Sequence, residues 1–200
     1  MLSIKKLKSY IIQKLKNELD AKLSYHGVHH TLEVLRVCDE YISRFSLKGK
    51  EAWLIRSAAL LHDVGITETY SGHEEASVQY AKNTLSEWGY EKSDLKKIEG
   101  MILATKIPQK PANLMEKIIC DADLDYLGTK EFYEIGDTLF KELIAYEIIE
   151  TEEQWDRIQI KFLLSHSYHT NFAIKHREPM KQNFIKEILN KWKWEVKDFS

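Results

Sequence analysis

Apolar residues recur along this chain every three or four positions, and alternation with period two is hard to find, so the pattern predicts helices throughout. Segments at roughly 3–23, 27–45, 49–64, 72–88, 93–106, 112–127, 129–149, 152–171 and 177–195 carry that period. In the first, Ile4, Leu7, Ile11, Leu15 and Leu19 share one side and lysines the other; this suits packing against a core, or else a membrane surface or partner. Ser71 with Glu74 reads as a capping box opening the fourth segment. "KIPQKP" separates the fifth from the sixth, because Pro108 and Pro111 cannot continue a helix. No repeat or long linker interrupts the run. The expectation is an all-α protein, a single globular helical domain over 1–200.

Helical spacing also sorts the ionisable residues. His29 aligns with Glu33, Arg36 and Glu40, a wet face, whereas His30 aligns with Val34, Val37 and Tyr41, an apolar one. His26 lies one turn before His30 on the same side. His62 continues the line Ile55, Ala58 and Ala59, and the "HD" pair places Asp63 beside it. Of the three alternating aspartates in "IICDADLDYLG", Asp121 falls with Lys117 on a polar strip and Asp125 lies close to it. Asp123 shares the column of Met115, Ile119 and Leu127, so it is the one expected to be buried.

Each inward residue taken singly has an ordinary explanation as a hydrogen-bonded core group. Together, His30, His62, Asp63 and Asp123 put four ionisable groups inside with only Arg56 near enough to answer them, and unpartnered burial costs several kcal/mol, of the order of 2–7. A divalent cation satisfies all four, since two neutral imidazoles and two carboxylates cancel its charge. Such a donor set suits Mn, Fe, Co, Ni or Zn, with Mg also compatible.

Composition narrows the setting. Forty-four per cent hydrophobic and 30% charged residues describe an ordinary globular chain, and a net charge of -2 gives no general attraction for nucleic acid or anionic membrane. No apolar run reaches membrane-spanning length. Cys38 and Cys120, far apart and outside any CxxC pattern, read as reduced core thiols and point to a cytoplasmic protein.

"YHGVHHTLEVL", "AALLHDVG" and "IICDADLDYLG", in that order, resemble the three motifs of the HD-domain superfamily of metal-dependent phosphohydrolases, whose signature is H…HD…D. The resemblance spans about residues 25–128. It implies a five-helix core with additional N- and C-terminal helices, residues 129–200 completing the pocket. It implies one divalent metal on His30, His62, Asp63 and Asp123, and a metal-activated water that attacks a small phosphate ester, a nucleotide or cyclic nucleotide. Asp63 would accept a proton from that water, and His26 matches the general acid of the cyclic-nucleotide phosphodiesterase branch. His73, near a helix start, is a candidate for substrate phosphate or, less well, a second metal; Lys106 is a second candidate phosphate contact. The chain departs from the pattern at Gly27, where the family has Asn, and at Ile66, where some branches carry lysine or glutamate; Glu68 is the nearest substitute carboxylate. The alternative reading is a metal-containing nucleotide-binding or sensing module with little turnover. A di-iron oxygenase would need more ligands. His166, Tyr168 and His169 form a late cluster of open role, and an exposed helix face leaves a homodimer open.

Overall fold

A computed structural model describes residues 3–199; positions 1, 2 and 200 of the expected domain lie outside the described residues. All regular structure among the described residues is helical. The chain divides into two compact units, one ending at Asp123 and the other starting at Leu124.

The first unit holds α1 (Ile4–Glu18), α2 (Val28–Arg44), α3 (Gly49–Leu61), a 3-10 turn (Val64–Thr67), α4 (His73–Glu87), α5 (Lys92–Thr105) and α6 (Leu114–Asp123). Helix α3 is apolar almost all round, and the run from Ala58 to Leu61 is fully buried, as a helix without a wet face must be. Around it pack α1, α2, α5 and α6. The stripe on α1 is a packing stripe: Leu7, Ile11 and Leu15 are buried against α3 and the 3-10 turn. Cys38 and Cys120 are free and buried. No described helix is long and apolar enough to cross a membrane.

The second unit holds a 3-10 turn (Asp125–Gly128), α7 (Phe132–Ala145), α8 (Glu152–Ser165), α9 (Asn171–His176), α10 (Glu178–Trp192) and a last 3-10 turn (Val196–Phe199). The segment expected as one helix over 152–171 breaks at Ser165, and His166 is extended. The break is held from outside the segment. The Lys181 ammonium, almost completely buried, donates to the His166 carbonyl at 2.6 Å, and the Tyr168 hydroxyl donates to the Leu124 carbonyl at 3.2 Å. Thr170 then caps α9 by accepting from the Ala173 N–H.

Two local expectations are corrected. Gly72, at φ 76°, is the residue preceding α4, and Ser71 supplies no side-chain cap; capping boxes form instead at Glu91 with Asp94 and at Thr151 with Gln154. The aspartate sorting on α6 also fails in part. Asp121 is completely buried and Asp125 nearly so, whereas the Asp123 side chain keeps 13% exposure. The wheel assumes one wet face, but ten-residue α6 packs against α2, α3 and α5 together. Asp125 lies beyond the helix, in the 3-10 turn, where it accepts from Arg177 Nε at 2.8 Å.

Candidate metal centre

Three segments of the first unit deliver the inward groups to one place. His30 stands in the first turn of α2, His62 caps the C-terminus of α3, Asp63 follows it at the head of the 3-10 turn, and Asp123 is the last residue of α6. His30 Nε2 lies 3.0 Å from Asp123 Oδ1, 3.2 Å from His62 Nε2 and 3.3 Å from Asp63 Oδ2. His62 Nε2 lies 3.1 Å from Asp63 Oδ2 and 3.4 Å from Asp123 Oδ1.

These spacings fit a cation. Ligands at about 2.1 Å from an octahedral ion stand about 3.0 Å apart along each edge. His30, His62 and Asp123 form a group whose donor atoms all lie within 4.8 Å of one another, and Asp63 flanks both imidazoles. The tautomer of His62 suits the task. Its Nδ1–H donates to the Ala59 carbonyl at 2.9 Å, so the proton it gives up to a cation is the one on Nε2, the nitrogen that faces the cluster. Tyr25 holds His30 from the other side, ring centroids 4.8 Å apart.

Charge in the metal-free cluster is strongly coupled. Burial pushes the His30 and His62 imidazoles down, but the hydrogen bonds and charges of Asp63 and Asp123 outweigh it and hold both above the ordinary histidine value, His62 well above. Conversely, burial pushes the two carboxyls up, and the imidazoles hold Asp63 well below the usual carboxylate range and Asp123 at about 2. Arg56 does not join: it pairs with Asp39 at 2.6 Å instead.

The residues around the cluster divide. His73 is close, its Nε2 3.5 Å from Asp63 Oδ1 and its Nδ1 donating to the Tyr70 carbonyl at 2.9 Å. Burial lowers its pKa, and the Asp63 carboxylate more than compensates, raising it to about 9. The His26 ring lies beside it, tilted by 57° with 5.4 Å between ring centroids, and 6.3 Å from the His30 ring, so both histidines border the cluster. Lys106 does not reach the cluster; it is exposed and paired with Glu75. Glu68 is exposed, and Ile66 is buried. His29, expected on a wet face, is exposed, its ring lying over Gly27. Sequence reading missed Glu74, whose Oε1 lies 3.7 Å from His73 Nε2 with only 12% side-chain exposure. Its place in the first turn of α4 was legible, but the Ser71 cap assigned it another task.

Gly65, two residues after Asp63, sets the approach of the 3-10 turn to α4. A Cβ there would stand 2.3 Å from the His73 carbonyl oxygen and 2.4 Å from the Ser77 N. The glycine N–H donates to Ser77 Oγ at 2.8 Å, which locks the turn in place. Gly65→Ala therefore forces backbone apart beneath His73. The expected cost is about 2–3 kcal/mol, a melting temperature lower by roughly 5–10 °C for a chain of this size. Thermal denaturation decides it, and an unchanged melt would mean that the turn yields freely.

Comparison with known proteins follows the same ground. Residues 27–125 match the family model of the HD domain. Among solved structures, a predicted HD superfamily hydrolase from an uncultured Thermotogales bacterium is similar at 22% identity, covering 94% of this chain and 92% of that one with a TM-score of 0.58. A protein from Lactobacillus plantarum is similar at 17% identity, covering 96% and 99%, with a TM-score of 0.66. No curated protein was found to match.

Proposed function

Because the chain belongs to the HD-domain family through residues 27–125, we propose that it is a metal-dependent phosphohydrolase acting on a small phosphate ester of the nucleotide class. One observation carries this reading: four donor groups from α2, α3 with its following turn, and α6 converge at the edge spacing of an octahedral ion. His30, His62, Asp63 and Asp123 would hold the metal. When bound, a divalent ion there acidifies a water and neutralises charge on a phosphate oxygen.

The chain's own groups supply the rest. Asp63 presents one oxygen to the two imidazoles and the other to His73, so it can hold a proton on the His73 side. His73, kept protonated by that carboxylate, gives the cluster a cationic neighbour suited to a phosphate oxygen. His26 stands beside His73 and is our candidate proton donor to the leaving oxygen. Lys106, paired to Glu75 at the surface, contributes less to this reading than it did on sequence alone.

His26→Gln is expected to lower kcat by about 10²-fold on an alkyl phosphate ester while leaving bound metal unchanged. With a p-nitrophenyl ester, whose leaving group needs no proton, the deficit should largely vanish. An equal loss on both esters removes His26 from the acid role.

Buried Ile66, where a charged residue stands in some related branches, favours a second reading, a nucleotide-binding or sensing module that keeps its metal. Metal-loaded protein assayed against nucleotide monoesters, cyclic nucleotides and simple phosphodiesters separates the two. Turnover supports the hydrolase; inert protein whose melting temperature rises with nucleotide supports the module.

A further inference from the structure

The second unit contains a cavity of about 490 Å³ between α7, α8 and α10, and none of its lining residues belongs to the metal cluster. Its wall carries five carboxylates, Glu134, Asp137, Glu152, Asp156 and Glu187, against one ammonium, that of Lys191. Lys191 donates to Glu152 at 2.7 Å and to Asp156 at 2.6 Å, and the Tyr133 hydroxyl donates to Glu187 at 2.7 Å. Lys141, outside the wall, pairs with Asp137 at 2.6 Å, but both are largely exposed and water screens that pair. The cavity therefore keeps a negative field that repels phosphate.

Two features make this more than an acidic surface. Tyr133, Phe140 and Trp155 bring aromatic rings to the wall, Trp155 buried and 6.1 Å from Phe140. At the floor, Gln159 is 7% exposed, and its side-chain amide has no hydrogen-bond partner among the described residues. Gly136 makes room for that amide: a Cβ at 136 would come 3.3 Å from Gln159 Nε2. The amide atoms are not sealed from the cavity, so they stand open to whatever fills it, and a ligand can take the place of water there.

We propose that this cavity binds a small organic cation, an ammonium or guanidinium group on an apolar body. The rim carboxylates attract the charge, the rings receive the body and the cation's edge, and the Gln159 carbonyl oxygen accepts one of its N–H groups. The inference is independent of the phosphohydrolase reading, since it uses neither the metal nor its ligands.

Titrating the full-length chain with phenethylammonium, phenethyl alcohol and phenylacetate at fixed ionic strength tests it. The readout is NMR of the Trp155 indole N–H and the Gln159 side-chain amide. Saturable shifts of both signals with the ammonium are expected, with affinity at least about tenfold weaker for the alcohol and none for the carboxylate. Glu134→Gln with Asp137→Asn, both exposed rim positions, should weaken the ammonium by about tenfold, as should Gln159→Leu. Should the Leu variant misfold, the wild-type shifts and the rim variant still decide. Equal binding of alcohol and ammonium, shifts confined to other indoles, or no saturable shift would overturn the proposal.

Discussion

Replacing Asp63 with asparagine is expected to lower metal-dependent phosphoester turnover by about 10³-fold or more, some 4 kcal/mol of transition-state stabilisation. Asp63 links the cluster to its neighbour: one oxygen lies 3.1–3.3 Å from both imidazole Nε2 atoms and the other 3.5 Å from His73. Asparagine keeps the shape, so the turn that Gly65 packs against α4 should survive. It removes one of the two negative charges that balance the ion and puts an amide where a carboxylate would take a proton. Elemental analysis beside kinetics separates the two losses: metal should fall with activity, whereas His26→Gln should keep its metal. Asp63→Asn protein with full metal and full turnover would end the proposed chemistry.

Much of this cluster was readable in the sequence because helical spacing is local. His30 differs from His29 only in which neighbours lie three and four positions away, and the fold buries the one and exposes the other. What spacing cannot convey is which helix faces meet a second neighbour. Asp121 looked wet from its column and is buried because α6 has packed helices on several sides. Asp125 was assigned to a helix that stops two residues earlier, and its partner, Arg177, lies 52 positions away. The end of α8 is likewise set by Lys181 reaching the His166 carbonyl across 15 residues. Glu74 was hidden for another reason: a capping box was plausible on the residue types, and the left-handed Gly72 took the position instead.

Loading the cluster with a divalent metal is expected to release between one and two protons, so the binding constant should rise about ten- to hundredfold per pH unit up to and somewhat beyond pH 6.5. The sign follows from the two imidazoles. Both are raised above 6.5 in the metal-free protein, hence both hold protons below that pH, and the ion must displace them. The same shifts give the metal-free protein the opposite trend. Groups with raised values contribute stability that is complete below about 6.5 and lost as pH climbs through their folded values. Asp63 and Asp123, which are depressed, contribute stability that is complete above about 3.8 and lost as pH falls through their folded values, about 2 for Asp123. Chelated protein should therefore melt at its highest temperature in mildly acidic buffer and less well as pH rises, while loaded protein should gain over the same interval. At a free metal concentration of about a thousand times Kd, loading adds about 4 kcal/mol, roughly 8–16 °C for a chain of this length. Calorimetric titration in buffers of different ionisation enthalpy counts the protons directly. Proton uptake on loading, or melting curves that run parallel with pH in the two states, would place the metal elsewhere than on His30 and His62.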